Sequence, residues 1–393
     1  MYAILFAGQG AQKPGMGKSL YETSAAARAV FDLAGDGIKH DCFEADAERL
    51  MQTEVTQPAV YTMDMAAYAA LCEALGAGAV IGTGDRTCAG AGDRAAHGAG
   101  AGGFTGPSAV AGFSLGEYAA FTASGIIDSI ETGIAVVKKR SLLMKEAGTG
   151  PDGGRRGAMA AGMGGKDAVL ALVEKARGDD ILEAVNFNSP QQTVVAGDAA
   201  AVERFAAIAK EDRSLGVKAV PLPVSGAFHS PIMRPAGEGL AEALDAYTFY
   251  GPSLPVYLNT TGGTFEEFGL AEEAGGHEPS AAPGLDDAVY KQSENSVSAG
   301  NEPSAGDELS GAPGPDTRAK AIMARQVYSP VQWQRTIEAM AGAGVDVFIE
   351  VGPGKTLSGL VKKIAPGLTA LHVEDAESLS ETVQFVLANE ENQ

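Results

Sequence analysis

An α/β fold of two units, a large one on a parallel sheet and a small one inserted into it, is predicted by three observations. Short apolar runs alternate with longer helical patterns through most of the chain, the arrangement of a parallel sheet covered by helices. Between about 156 and 224 that grammar changes to strand, helix, two strands, helix, strand. The 393 residues, 45% of them apolar, suffice for one large domain or two ordinary ones and can bury a core unaided.

The strands expected in the large unit include Tyr2 to Ala7, Ser108 to Phe113, Val256 to Asn259 and Val345 to Val351. A helix is expected to start near Pro58, a residue suited to a first helical turn, and to run through AVYTMDMAAYAALCEAL to Gly76. In the small unit the succession reads strand 157–162, helix 166–177, strand 181–187, strand 192–196, helix 198–211 and strand 217–223. This βαββαβ order is that of a ferredoxin-like unit. The expected domains are 1–155 and 225–393 together as a large α/β domain and 156–224 as the small one, with a cleft between them of the kind that holds ligands.

Charge and composition exclude several classes. The net charge of -21 rules out a generally basic nucleic-acid surface, which needs clustered Lys and Arg. No apolar stretch approaches the roughly 20 residues needed to span a bilayer. MYAILFAGQG has no basic residue before its apolar run and no small-residue cleavage site after it, so it reads as a buried strand and not as a secretory signal. Cys42, Cys72 and Cys88 are odd in number and far apart, which argues against disulfides and against a CxxC metal site and points to a reducing cytoplasm. Residues 262–316 hold twelve Asp or Glu against one Lys, and 82–107 are rich in Gly and Ala; both are expected to be solvated insertions.

The most specific local signal is Gly112-Phe113-Ser114-Leu115-Gly116, which follows an apolar strand and precedes the helical EYAAFTASG. A GxSxG run in that context is a nucleophile elbow: its glycines allow a sharp turn, and the helix N-terminus offers N–H groups to a developing oxyanion. A serine needs a base within hydrogen-bond reach. Of the five histidines, His97 and His277 lie in the insertions, His40 in what reads as a polar, exposed turn, and His372 near a C-terminal strand where a structural role fits. His229, in GAFHSPIM at the return to the large unit, is the candidate base. Two near-motifs fail. GQGAQK has Lys13 where a dinucleotide fingerprint needs its third glycine, and VGPGKTLSG has Ile349 where a phosphate-binding loop needs its first. Both remain glycine turns at the carboxyl edge of the sheet, where α/β enzymes place their sites.

Several stretches together resemble one family, the malonyl-CoA:acyl carrier protein transacylases and the related acyltransferase domains of polyketide synthases. They are FAGQGAQ at 6–12, TEVTQPA at 53–59, GFSLGEYAA at 112–120, KKRSLLM at 138–144, GAMAA at 157–161, NFNSPQQTVVAG at 186–197, VSGAFHSPIM at 224–233, RQVYSPVQW at 325–333 and EVGPGKTLSGLVKK at 350–363. The resemblance implies an α/β-hydrolase-like large domain with a parallel sheet plus the inserted ferredoxin-like domain. It implies Ser114 as acylated nucleophile, His229 as general base, the Gln9 and Leu115 N–H groups as oxyanion hole, Arg140 as partner of the malonyl carboxylate, and a Gln326 carbonyl that orients the histidine. Arg suits that task because its planar fork can hold both oxygens of a carboxylate.

The reaction implied moves malonyl from malonyl-CoA to the phosphopantetheine thiol of an acyl carrier protein in fatty acid biosynthesis, with no metal and no bound cofactor. The alternatives are a trans-acting polyketide acyltransferase and a serine thioesterase or hydrolase, the latter lacking the GQGAQ, RSLLM and PVQW set. One departure is Phe113, where the family commonly has His. GAFH, with Phe228 beside the histidine, resembles the version that selects malonyl over a branched acyl group. An acidic carrier protein would need a local basic patch, for which Lys138, Lys139, Lys355, Lys362 and Lys363 are candidates.

Overall fold

A computed structural model describes residues 1–76, 106–224, 226–268 and 313–390. The five-stranded sheet joins β1 (Tyr2–Phe6), β2 (Ala109–Gly112), β7 (Val256–Tyr257), β8 (Val347–Val351) and β9 (Thr369–Val373) in the order β7-β2-β1-β8-β9, with every pair parallel. Its inner strands are apolar at almost every position because both faces are covered. Alternation along β1 sends Ile4 and Phe6 into one core and Ala3 and Leu5 into another.

Helices α1 (Lys18–Thr23), α2 (Ala25–Ala34), α3 (Asp36–Glu44), α4 (Ala47–Leu50) and α5 (Thr53–Ala74) follow β1, and α6 (Gly116–Ala123) and α7 (Ile130–Ala147) follow β2. The first core takes α5, α6 and α7, and also residues of α10 (Arg234–Leu244) and α11 (Pro315–Gln326). The second takes Trp333, Ile337 and Met340 of α12 (Trp333–Gly342) with Leu357, Leu360 and Val361 of α13 (Thr356–Ile364); α14 (Ala376–Glu390) ends the described chain.

The small unit has the expected order. Strands β3 (Ala158–Met163), β4 (Leu182–Ser189), β5 (Gln192–Gly197) and β6 (Lys218–Pro221) form an antiparallel sheet in the order β4-β5-β3-β6. Helices α8 (Lys166–Arg177) and α9 (Ala199–Glu211) cover it through Val169, Leu172 and Phe205, so the unit is ferredoxin-like. β4 is stitched to the segment after α11: Phe187 N–H donates to the Val331 carbonyl at 2.9 Å and Val331 N–H to the Val185 carbonyl at 2.8 Å.

Three sequence expectations need correction. Helix α5 begins at Thr53, five residues before Pro58, which lies inside it. Thr53, Val55 and Gln57 are buried, and tertiary packing carries the helix across the residue that local preference makes its start. His40 is exposed, but it sits in helix α3 and not in a turn. The acidic insertion is narrower than 262–316: Phe265 and Phe268 are buried in the first core, and Pro315 and Asp316 open α11. Residues 82–105 and 269–312 of the two expected insertions, with His97, His277 and Cys88, lie outside the described residues. Among the described residues no helix is long and apolar enough to cross a membrane.

Candidate active site

β2 ends at Gly112, the chain turns through Phe113, Ser114 and Leu115, and α6 starts at Gly116. Close approach explains the two glycines. A Cβ on Gly112 would lie 1.9 Å from the Gly116 carbonyl carbon, and one on Gly116 would lie 2.2 Å from the Phe6 carbonyl oxygen. Ser114 itself is left-handed, with φ 52°, a conformation that non-glycine residues hold only when their surroundings over-determine it. Two side-chain amides do so: Ser114 N–H donates to Asn259 Oδ1 at 2.6 Å, and Gln326 Nε2 donates to the Ser114 carbonyl at 2.6 Å.

His229 arrives from the loop after the small domain, also left-handed at φ 62°. Its Nε2 is 2.7 Å from Ser114 Oγ, and its Nδ1 is 3.0 Å from the Gln326 main-chain carbonyl. A carbonyl can only accept, so Nδ1 carries the proton and the Nε2 lone pair faces the hydroxyl. Burial, and then the neighbouring Arg140 guanidinium, lower the imidazole from 6.5 to about 4. The ring is therefore neutral, as a general base must be. A main-chain carbonyl, and not a carboxylate, orients it.

Arg140 comes from α7 and is 1% exposed. Its NH1 donates to Gln57 Oε1 at 2.7 Å, and its NH2 to Gln326 Oε1 at 3.1 Å and Ser114 Oγ at 3.4 Å. The guanidinium lies over the Tyr118 ring at 5.1 Å, its Nε has no partner, and among the described residues no carboxylate pairs with it. Gln57 in turn donates to Gln9 Oε1 at 3.2 Å, which links α5 to the loop after β1. Among the described residues neither the Gln9 nor the Leu115 N–H donates to a protein acceptor, and both residues flank the serine's surroundings, Leu115 as its neighbour and Gln9 in the same cavity wall. Ser114, His229, Arg140 and Gln326 are thus brought together.

Sequence reasoning missed Glu117, Asn259 and Gln57. Glu117, the fourth residue of the serine's turn into α6, is fully buried. Its Oε1 accepts from Asn259 N–H at 2.6 Å and Nδ2 at 3.0 Å, and its Oε2 from Gln326 Nε2 at 2.8 Å. Burial pushes its carboxyl up to about 7, against the pull of these donors and of Arg140. The signal available was one acid in an otherwise apolar helix, EYAAFTA. In the sequence Asn259 is the polar end of an expected strand, and Gln57 lies just before the helix expected at Pro58.

A cavity of about 400 Å³ opens at the serine, lined from the large unit by Gln9, Phe113, Ser114, Phe228, His229 and Met144 and from the small one by Met159, Asn186, Asn188 and Leu222. Both glycine turns set aside as failed motifs reach it, through Gly10 to Gln12 and through Thr356 and Leu357. Phe113 packs edge-on against Trp333, ring centroids 5.3 Å apart, and stands in the wall as an apolar surface.

A model of the family described as acyl transferase domain matches residues 3–91 and 94–381. The malonyl CoA-acyl carrier protein transacylase of Bacillus subtilis (strain 168) is 32% identical over 396 residues, 99% of this chain and 98% of the relative. Among solved structures, the malonyl CoA-acyl carrier protein transacylase from Clostridium perfringens Atcc 13124 matches with TM-score 0.73 at 30% identity, covering 99% of this chain and 98% of that one. A malonyl-transacylase in complex with its type II PKS acyl-carrier protein matches with TM-score 0.71 at 28% identity, covering 98% and 99%.

Proposed function

The chain belongs to the acyl transferase domain family, and we propose that it transfers malonyl from malonyl-CoA to the phosphopantetheine thiol of an acyl carrier protein through a malonyl ester on Ser114, in fatty acid biosynthesis in the cytoplasm. The observation that carries this reading is the Arg140 guanidinium, buried with no carboxylate in contact among the described residues and 3.4 Å from Ser114 Oγ. A buried cation with no carboxylate in contact costs free energy that an arriving anion can offset, and the free carboxylate of a malonyl group supplies one.

In the first half-reaction His229 Nε2 takes the Ser114 proton as Oγ attacks the thioester carbonyl. The Gln9 and Leu115 N–H groups stabilise the tetrahedral oxyanion, each worth about 10²–10³ in rate. Collapse expels coenzyme A, whose sulfur receives the proton from His229. In the second half the carrier thiol gives its proton to His229 and attacks the ester, and Ser114 recovers its hydrogen. No step requires a metal or a bound cofactor. The carbonyl that orients His229 departs from the acidic orienter of Ser-His-Asp hydrolases.

The deciding experiment is intact-mass analysis after mixing with malonyl-CoA. The wild type should gain one malonyl group and Ser114→Ala none. A malonyl adduct that survives in Ser114→Ala would refute the assignment.

A further inference from the structure

Glu117 is fully buried, and its carboxylate oxygens accept from the two side chains that hold the serine backbone rather than from Ser114 Oγ or His229. An ionised carboxylate only accepts hydrogen bonds, whereas a side-chain amide has one accepting and one donating end. Whatever faces the carboxylate must therefore be the NH2 end. For Asn259 this turns Oδ1 toward Ser114 N–H. For Gln326 it turns Oε1 toward Arg140 and leaves Nε2 shared between Glu117 and the Ser114 carbonyl. Gln326 also holds His229 through its main-chain carbonyl. We propose that Glu117 is a positioning residue whose acceptor-only carboxylate sets the direction of both amides and so holds nucleophile, base and guanidinium in register. The proposal rests on Ser114 being the nucleophile.

Backbone strain explains why such a device is needed. Ser114 would relax out of its left-handed conformation if either amide turned over, because each would then face a like group: Asn259 Nδ2 against Ser114 N–H, or Gln326 Oε1 against the Ser114 carbonyl. One carboxylate, reached from the serine's own helix, opposes both reversals, alongside the Gly112 carbonyl that accepts from Asn259 Nδ2 at 2.6 Å and Arg140, which donates to Gln326 Oε1. Glu117→Gln keeps the shape but presents an NH2 group to one of the amides, so one of them must flip or lose its partner.

The test compares wild type, Glu117→Gln, Asn259→Ala and the double variant as full chains. The readouts are the rate of malonyl-serine formation at saturating malonyl-CoA, the half-saturating concentration, labelling by a fluorophosphonate probe, and thermal melting. Glu117→Gln should slow malonylation and fluorophosphonate labelling by about tenfold or more, the kinetic equivalent of one lost charge-assisted hydrogen bond, with half-saturation changed less than about twofold. In the Asn259→Ala background the same substitution should cost at least about threefold less, because one of the amides it directs is gone. A folded Glu117→Gln enzyme within about twofold of wild type, a loss confined to half-saturation, or losses that simply multiply would each overturn the proposal. Should Glu117→Gln melt below the assay temperature, Asn259→Asp turns an acceptor toward the same carboxylate, and its retention of full rate would overturn the proposal equally. Wild-type protein that takes no label on Ser114 would instead sink the nucleophile reading, and this inference with it.

Discussion

Ser114 Oγ lies 2.7 Å from His229 Nε2, and these two residues are the only non-glycine ones among those described with positive φ. The strain of the site is thus concentrated in the proposed nucleophile and base, about 1–3 kcal/mol each. Glycine tolerates this conformation, so Ser114→Gly should unfold at higher urea than Ser114→Ala, by about 1 kcal/mol. Equal midpoints would mean that Ser114 is not strained.

His229→Ala should slow malonyl-serine formation by about 10²–10⁴ while the fold persists. Rapid-quench mass spectrometry reads this directly. A residual rate close to wild type would remove His229 from the chemistry.

The acid limb of malonylation should have two steps. Glu117, raised to about 7, takes up a proton first; one of its oxygens then donates and opposes an amide NH2, so the rate drops to a lower plateau. His229, lowered to about 4, stays neutral until much lower pH, where its protonation ends the reaction. Glu117 is faced by Arg140 of α7, Gln326 of α11, Asn259 beyond β7 and Tyr118 of its own helix, and Arg140 opposes its proton uptake. Glu117→Gln should lack the upper step. A single titration near 6.5 in both proteins would contradict both shifts.

Arg140→Ala should lose preference for malonyl over acetyl, since the bonds removed are worth roughly 1.5–3 kcal/mol. Competition between the two coenzyme A esters measures it. An unchanged ratio would place the acyl carboxylate elsewhere.

Lys138, Lys139, Lys355, Lys362 and Lys363 are all exposed on a protein of net charge -21. If they receive the carrier, added salt should weaken transfer to the carrier strongly and acylation from malonyl-CoA weakly. Equal salt dependence would argue against the patch.

Much of this was legible in the chain itself. Strand alternation, the βαββαβ succession and the strand-turn-helix setting of Gly112–Gly116 are local, with periods of two and 3.6 residues, and the structure keeps them with shifts of a residue or two at most boundaries. Helix α8 spans the expected 166–177 without change. Pro58 shows the limit: local preference put a helix start there, and burial of the preceding turn moved it.

The sequence by itself determined the elements and singled out Ser114 and His229 as candidates, the serine through its strand-turn-helix setting and the histidine by elimination and its place at the return to the large unit. Only the tertiary structure decided what Glu117, Asn259, Gln57 and the free edges of Gln326 do. Glu117 meets Asn259 across 142 positions and Gln326 across 209. The direction of a polar group, and its proton affinity, depend on which donors surround it once water is excluded, and no short window of sequence contains those neighbours.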